Sequence, residues 1–343
     1  MARGDLLKKL FLSYLKRNDD SFRSAALEII AEEQKKNHLL LANELQRILS
    51  NGSRNPMLTE IYQDLSTLPK DRERQAILVE VRKPDRYLPD IILSENKFKD
   101  IQGILEEFRK GEILHSHGVK PRTKLLLCGP PGCGKTLLAE VIATELSLPM
   151  LYTRFDTIVS SYLGETSANL RKVFDYASRG TWVLFFDEFD AIGKSRDDLT
   201  EHGELKRVIN SFLQLLDGFH SDSLVIAATN HEYLLDVALW RRFDEILYME
   251  RPSIPDIKLL ISRKLGSIPH PRLKPDSFVQ KLKGLSHAEI ERICYDAIRF
   301  SVLRDLPEIT PELFQECIQR ELKRLGYIRV AKKPDTNSIE KPQ

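Results

Sequence analysis

The sequence lacks long apolar runs, cysteine clusters and a strong net charge, and each absence excludes a class of protein. No apolar run approaches the roughly 20 residues that a membrane-spanning helix requires, so we expect a soluble protein without a membrane partner. Four scattered cysteines without metal-ligand spacing indicate reduced thiols and a cytoplasmic location. The net charge of +2 gives no reason to expect nucleic acid as the main partner.

The remaining composition is typical of a globular protein with more than one domain. Hydrophobic residues make up 42% of the chain and charged residues 30%. A single core usually stops growing at about 250 residues. With 343 residues, the chain is long enough for two or three domains.

Residues 1–50 are predicted to form a small helical domain that binds a partner or substrate. Apolar residues recur there at helical spacing in three groups, which predicts three amphipathic helices. The breaker-rich stretch SNGSRNP ends the third group. A polar connector is predicted at 51–89, and the polar tail at 329–343 is predicted to be disordered.

The middle of the chain, residues 90–250, has the pattern of a parallel sheet. Short apolar runs alternate there with amphipathic helices, which is typical of strand–helix–strand units and of the α/β fold class. Strands are absent from the pattern beyond Pro255, and helices are predicted to form a small lid at 251–328. The predicted strands are 124–128, 149–153, 182–187, 224–229 and 245–249.

A phosphate-binding motif directly follows the first predicted strand. The segment GPPGCGKT satisfies G-x-x-x-x-G-K-[ST], with a strand before it and a helix after it. Its glycines let backbone N–H groups surround phosphates, Lys135 reaches the terminal phosphates, and the Thr136 hydroxyl is a ligand for Mg²⁺. We therefore predict a P-loop fold that binds ATP and Mg²⁺. The residues predicted to contact the nucleotide here are Pro131, Gly132, Cys133, Gly134, Lys135, Thr136 and Leu137.

Two adjacent acids at the end of the run WVLFFD favour hydrolysis. Asp187 is placed to hold Mg²⁺, and Glu188 is placed to polarise a water for attack on the γ-phosphoryl group. A kinase with the same loop has less need of the second acid, because its substrate brings the nucleophile.

From about residue 90 to Leu325, these motifs resemble those of the AAA family of AAA+ ATPases. The run LVIAATN ends in Asn230, which matches the sensor residue that aligns the attacking water. In LLDVALWRRFDEILYM, Arg241 and Arg242 match the paired arginine fingers. The resemblance implies that these arginines reach the nucleotide of a neighbouring subunit in a ring, with a hexamer expected. The adjacent arginines are similar to those of the katanin and spastin branch. The chain as a whole resembles short stand-alone bacterial members of the family.

The predicted lid and adenine-binding segments resemble the family's motifs less closely. The segment GLSHAEIERICYDA resembles the sensor-2 region, with His287 in place of a small residue. DIQG at 100–103 resembles the family's adenine-proximal DIGG, but apolar residues run through it at helical spacing, so we predict a helix there. The adenine contact is then expected at 88–93, where an extended backbone around Asp90 and Ile91 would face the base.

The segment SYLGE resembles the first pore loop of the family. Its aromatic–hydrophobic–glycine element is formed by Tyr162, Leu163 and Gly164, before a helix expected to begin near Glu165. In a ring, the resemblance implies that such loops meet at the axis, where aromatic faces grip an extended polypeptide through apolar contact. The other interpretation is that Tyr162 packs against its own domain.

The leading hypothesis is a ring-forming motor that hydrolyses ATP and remodels, unfolds or threads polypeptide substrates through a central pore. Residues 1–50 would then recruit the substrate, an adaptor or a separate protease. The first alternative is a DNA- or clamp-handling AAA+ ATPase, which would call for a basic channel. The second is an ATP-binding scaffold without motor activity, against which stand Glu188, Asn230 and the two arginines together.

Overall fold

The structure is a computed structural model that describes most of the chain. The chain divides into two compact units, Met1–Thr67 and Leu68–Gln343. The described residues are 4–15, 19–35, 68–71, 75–158, 163–190, 202–219, 221–231, 237–266, 268–270 and 273–331.

The first unit contains two helices that contact each other, α1 (Gly4–Leu15) and α2 (Asp19–Lys35). Ala25 is fully buried, and the Lys9 ammonium lies 3.1 Å from a carboxylate oxygen of Glu28 across the pair. These helices agree with the first two predicted ones. The third predicted helix lies outside the described residues.

The second unit is built on a six-stranded sheet whose strand order is β1-β3-β4-β5-β2-β6. All neighbours are parallel except β1, which pairs antiparallel with β3. The five predicted strands are confirmed, with end residues that differ by one position at most. The strands are β1 (Glu80–Arg82), β2 (Lys124–Cys128), β3 (Met150–Arg154), β4 (Val183–Asp187), β5 (Leu224–Thr229) and β6 (Glu245–Tyr248).

The predicted connector at 51–89 is wrong in its last part. Residues 80–82 add the strand β1 to the sheet, and Leu78 and Val79 just before it are buried. Upstream, the amide of the buried Asn169 donates a 2.7 Å hydrogen bond to the buried carboxylate of Asp71. The proline-rich, polar composition hides a segment that the sheet and a neighbouring helix hold in place.

Helices cover both faces of the sheet, because the strands bury side chains in alternation on either side. The described helices of this region are α3 (Glu95–Arg109), α4 (Gly111–Ser116), α5 (Lys135–Glu145), α6 (Phe155–Ile158), α7 (Leu163–Ala177), α8 (His202–Asp217) and α9 (Val237–Trp240). On one face of the sheet, Leu127 and Phe185 pack with α3 and α5. On the other face, Phe186 packs with Phe174 of α7 and Phe212 of α8.

Helix α3 contains the DIQG segment, as predicted from its periodicity. Ile101 and Ile104 on this helix are buried in the sheet's core, which the helical spacing of the apolar residues requires.

The described residues of the lid form four helices around a core of their own. A predicted tail beginning at 329 is wrong at its start, because the last helix continues to Ala331. Residues 332–343 lie outside the described residues. The lid helices are α10 (Ile254–Leu265), α11 (Asp276–Leu282), α12 (His287–Leu303) and α13 (Pro311–Ala331).

Candidate nucleotide site

The site lies at the edge of the sheet where the parallel strands end. The register pairs Cys128, the last residue of β2, with Thr229 of β5, and Arg154 of β3 with Asp187 of β4. Loops that follow parallel strands meet at this edge, which is where open α/β sheets bind ligands.

The loop after β2 needs its glycines for conformation and for space. Gly129 has a φ of +133°, and a Cβ there would lie 2.2 Å from the backbone oxygen of Met249. Gly134 has a φ of +89° and directly precedes α5, the helix that begins at Lys135. A side chain at either position would strain the backbone. The glycines therefore let the loop backbone curve tightly in front of the helix N-terminus, which is the arrangement that binds phosphates.

Lys135 is held inside this loop. Its ammonium donates to the carbonyl oxygens of Gly129 at 2.7 Å and Pro130 at 2.9 Å. Burial lowers the pKa of Lys135, and the nearby Cys133 and Asp187 oppose that shift. The ammonium is the only cation that the described loop residues 129–136 carry, and it is placed to bind terminal phosphate oxygens.

The carboxylate of Asp187 accepts three hydrogen bonds. One carboxylate oxygen, Oδ2, accepts hydrogen bonds from the hydroxyls of Thr136 and Tyr152, both at 3.1 Å. The other oxygen, Oδ1, accepts the backbone N–H of Glu188 at 2.9 Å. The predicted pairing of Thr136 with Asp187 is thus present in the geometry, whereas Tyr152 is an addition that the sequence does not signal.

Glu188 has an unusual backbone conformation. Its φ is +52°, in the left-handed region that non-glycine residues seldom adopt. The carboxylate is half-exposed and lies 3.8 Å from the guanidinium of Arg154 at the end of β3. Such strain is common at functional sites, where the surrounding structure maintains it.

Asn230 follows the adjacent strand β5, as its predicted sensor role requires. Its backbone N–H donates to the buried carboxylate of Asp190 at 3.2 Å, and the N–H of Phe189 donates to the Ala228 oxygen at 2.9 Å. These bonds join the turn after β4 to the end of β5. Glu188 and Asn230 therefore lie on neighbouring turns of the same sheet edge.

The lid contacts the phosphate loop directly. The N–H of Ala288 donates to the oxygen of Gly132 at 3.0 Å, and a Cβ on Gly132 would lie 2.8 Å from the hydroxyl of Ser286. Ser286 caps α12 and forms a capping box with Glu289. The sensor-2 likeness thus falls on residues that join the lid to the loop.

The predicted extended backbone of the adenine segment is wrong at its start. Leu88–Asp90 forms a 3₁₀ turn, because the N–H of Asp90 donates to the Tyr87 oxygen at 2.8 Å and the Asp90 carboxylate accepts the N–H of Tyr87. Ile91 is extended and buried, and its Cδ1 would lie 3.8 Å from a Cβ on Gly134. Arg263 of the lid donates to the Pro89 oxygen at 2.6 Å. Contact of Asp90 and Ile91 with a base stays a prediction.

Arg241 and Arg242 lie at the other edge of the sheet. Two residues later, the N–H of Asp244 donates to the oxygen of Lys124, the first residue of β2, at 2.8 Å. The phosphate loop follows the opposite end of β2, about 13 Å away at roughly 3.3 Å per residue. Both arginines are exposed, and Nε of Arg242 donates to Asp217 at 2.8 Å.

Known proteins with similar sequences identify the family of this chain. Residues 125–251 match the family described as the ATPase family associated with various cellular activities (AAA). The protein named uncharacterized AAA family ATPase y4kL, from Sinorhizobium fredii, is 42% identical over 333 residues, which are 96% of this chain and 99% of that protein. The chain belongs to the AAA family of ATPases. Its reaction is the hydrolysis of ATP.

Two longer relatives share the same region of this AAA ATPase. A proteasome-activating nucleotidase of Methanopyrus kandleri is 30% identical over 272 residues, which are 75% of this chain and 61% of that protein. The ATP-dependent zinc metalloprotease FtsH 3 of Sphaerobacter thermophilus is 31% identical over 255 residues, 73% of this chain and 52% of that protein. The chain therefore spans less than two thirds of either relative.

Part of the predicted pore loop of this AAA ATPase is outside the described residues. Tyr162 is not among them, and α7 begins at Leu163, two residues before the predicted start near Glu165. Leu163 and Gly164 are thus in the first turn of that helix. In the described part of the chain, no helix combines the length and apolar character needed to cross a bilayer.

The AAA site also includes residues that no sequence motif signals. Tyr152 lies in the middle of β3 and reaches Asp187 across 35 positions of the chain. The guanidinium of Arg82, on the unpredicted strand β1, lies 3.4 Å from the centre of the Tyr152 ring. Burial and the nearby Asp187 raise the pKa of Tyr152 to about 12, so its hydroxyl stays protonated as a donor. Only the parallel register of β3 with β4 could have hinted at such contacts.

Proposed function

We propose that this AAA ATPase assembles into a ring, expected to be a hexamer, and couples ATP hydrolysis to the remodelling, unfolding or threading of polypeptides. The observation that carries the proposal is the separation of the arginine pair from the phosphate loop. The two lie at opposite ends of the parallel strands, which supports a role of the guanidiniums at a neighbour's nucleotide and not at their own.

The residues at the phosphate loop fit a magnesium–triphosphate. Mg²⁺ prefers hard oxygen ligands, and the Thr136 hydroxyl and an Asp187 carboxylate oxygen lie 3.1 Å apart in front of the loop. These two residues would hold the metal, and Lys135 would bind the terminal phosphate oxygens. A bound Mg²⁺ neutralises developing charge on the phosphate oxygens.

The arrangement of the residues supports the hydrolytic roles that we propose. Glu188 accepts a proton from the attacking water, and Asn230 on the adjacent turn orients that water. The neighbour's Arg241 and Arg242 stabilise the charge that spreads over the transferred phosphoryl group. Hydrolysis would therefore depend on assembly.

We propose that the substrates are polypeptides. Tyr162, Leu163 and Gly164 would bind them at the axis of the ring. An aromatic ring holds an extended chain by apolar contact without reading its sequence. The names of two relatives support this class, since one is a proteasome-activating nucleotidase and the other an ATP-dependent protease. We further propose that residues 1–50 recruit the substrate, an adaptor or a separate protease. The four cysteines are free and buried, which supports a reducing, cytoplasmic setting.

A substrate-stimulation experiment tests the polypeptide grip. ATPase rates would be measured with no addition, with a permanently unfolded polypeptide, and with single-stranded DNA, for wild type, Tyr162→Ala and the control Tyr327→Ala. Tyr327 is an exposed tyrosine of the lid. We expect polypeptide to stimulate wild type and the control, and Tyr162→Ala to lose most of that stimulation while it keeps its basal rate.

The other outcomes would select the alternative functions. Stimulation by DNA and not by polypeptide would favour the DNA- or clamp-handling class. Absence of turnover by the wild type under any condition, with ATP bound, would favour the scaffold. For ring assembly, the mass of Glu188→Gln with ATP, measured in solution, should correspond to a hexamer; a persistent monomer would contradict the ring.

A further inference from the structure

The hydroxyl of Tyr152 and that of Thr136, a predicted metal ligand, donate to the same carboxylate oxygen of Asp187. Both hydroxyls donate to Oδ2 at 3.1 Å, while Oδ1 is engaged by the N–H of Glu188. The two carboxylate oxygens are thus each held from a different direction. A carboxylate restrained in this way has little freedom to rotate.

The ring that carries this hydroxyl is itself fixed. The Arg82 guanidinium lies 3.4 Å from the ring centre on one side, and the Phe185 ring packs with its centre 5.7 Å away. Arg82 is held in turn by Glu80, whose carboxylate oxygen lies 2.6 Å from its Nη2. The restraint therefore extends from Asp187 to the strand β1, through contacts that are each within packing or hydrogen-bond distance.

We propose that Tyr152 is a positioning residue that orients the Asp187 carboxylate for Mg²⁺, with Arg82 holding the tyrosine ring in place. Residues that hydrogen-bond to a metal-holding carboxylate fix its orientation, and their loss typically weakens metal binding by about 10–100-fold. The inference rests on the magnesium part of the proposed function and is independent of ring formation and of the polypeptide grip.

The test is a magnesium titration of nucleotide binding to the full chain. Binding of a fluorescent ATP analogue would be followed by its fluorescence, first in EDTA and then at increasing Mg²⁺, for wild type and Tyr152→Phe. Phenylalanine keeps the ring and its packing and removes only the hydroxyl. We expect the Mg²⁺ concentration at half-saturation to rise about tenfold. Affinity in EDTA should stay within about twofold, because no metal is involved there.

Tyr295→Phe is the matched control. That hydroxyl also donates to a carboxylate, Glu291 of the lid, at 3.0 Å, so the chemical change is the same away from the site. We expect its magnesium curve to coincide with that of wild type. A second variant, Arg82→Gln, leaves the hydroxyl and loosens the ring. We expect it to shift the curve in the same direction by about two- to threefold, and it keeps the inference testable if Tyr152→Phe fails to fold.

The inference is overturned if Tyr152→Phe leaves the magnesium half-saturation unchanged, or if affinity falls equally with and without Mg²⁺. An unshifted curve for Arg82→Gln would refute the role of Arg82. Failure of the proposed function looks different, because nucleotide binding by the wild type itself would then show no dependence on Mg²⁺.

Discussion

The two edges of the parallel sheet differ in what they hold. At the carboxyl edge, the Lys135 ammonium donates to the Gly129 carbonyl oxygen, and Asp187 accepts hydrogen bonds from the Thr136 hydroxyl and the Glu188 N–H. At the amino edge, Arg241 and Arg242 are exposed, and Arg242 forms an ion pair with Asp217. The side chains at the carboxyl edge are held by hydrogen bonds within the chain, whereas the arginine side chains at the amino edge are exposed to solvent.

This contrast supports the proposal that hydrolysis depends on assembly. A single parallel strand separates loop from arginines by about 13 Å, which exceeds the reach of a guanidinium. We therefore propose that one chain supplies the nucleotide pocket and a neighbouring chain supplies the arginine pair. Variants at each edge should therefore have different effects on ATP binding and on turnover.

The largest expected effect is at the amino edge. We expect Arg241→Ala combined with Arg242→Ala to lower kcat by about a thousandfold or more, because an arginine finger typically contributes that factor. Binding of ATP should change little, since the phosphate loop is untouched. Steady-state ATPase assays with parallel binding measurements check this, with Arg299→Ala, an exposed arginine of the lid paired with Asp296, as the control. A normal kcat in the double variant would contradict the finger assignment.

The next effect is at the carboxyl edge. We expect Glu188→Gln to lower kcat by about 100- to 10,000-fold while ATP remains bound, because the amide keeps the shape of the side chain and loses the proton acceptor. Single-turnover hydrolysis and ATP binding would be measured together. Glu316→Gln, an exposed carboxylate paired with Arg304 on the lid, should behave like wild type. Equal losses in turnover and in binding would argue against a role in proton transfer.

A smaller change concerns the loop's backbone. We expect Gly129→Ala to weaken ATP binding by about tenfold or more, because its Cβ would lie 2.2 Å from the Met249 oxygen and the loop must shift. Equilibrium binding measures it. Gly118→Ala is the matched control: its φ is also positive, at +75°, but a Cβ there meets nothing within 4 Å. If both variants weakened binding alike, strain and not the cradle's space would be responsible.

The smallest effect is expected for the ion pair at the amino edge. Asp217→Asn removes the carboxylate that Arg242 contacts at 2.8 Å, and both side chains are nearly half exposed. Exposed pairs contribute about 0.2–1 kcal/mol, so we expect the free energy of unfolding to fall by less than about 1 kcal/mol and kcat to stay within about twofold. Chemical denaturation and ATPase assays would measure these. A tenfold loss of kcat would mean that Asp217 aligns the arginine.

Short-range patterns predicted most of the fold. The buried strands read as continuous apolar runs, and the phosphate-binding motif is confined to eight consecutive residues that run from the end of a strand into the first turn of a helix. Such features depend on neighbours in the chain, so they are visible in the sequence. The pairing of Thr136 with Asp187 also follows, because parallel strands bring their ends to one edge.

Long-range contacts explain what the sequence did not reveal. The strand β1 has three residues and gains its structure from β3, with Val81 opposite Leu151. No local pattern signals such a short edge strand. The turn at Leu88–Asp90 has distant partners as well, because the N–H of Leu88 donates to Glu145 at 3.1 Å and Arg263 donates to the Pro89 oxygen at 2.6 Å. The contact between Tyr152 and Asp187 exists only once two strands are aligned.

Mixing two inactive variants tests the shared active site most directly. Glu188→Gln retains its arginines, and the double arginine variant retains an intact pocket. In a random 1:1 mixture, an intact pocket meets an intact arginine pair at one half times one half, or about a quarter, of the interfaces of a symmetric ring. We predict that ATPase activity returns on mixing, up to about a quarter of the wild-type rate. A mixture that forms mixed assemblies and stays as inactive as its components would contradict the account.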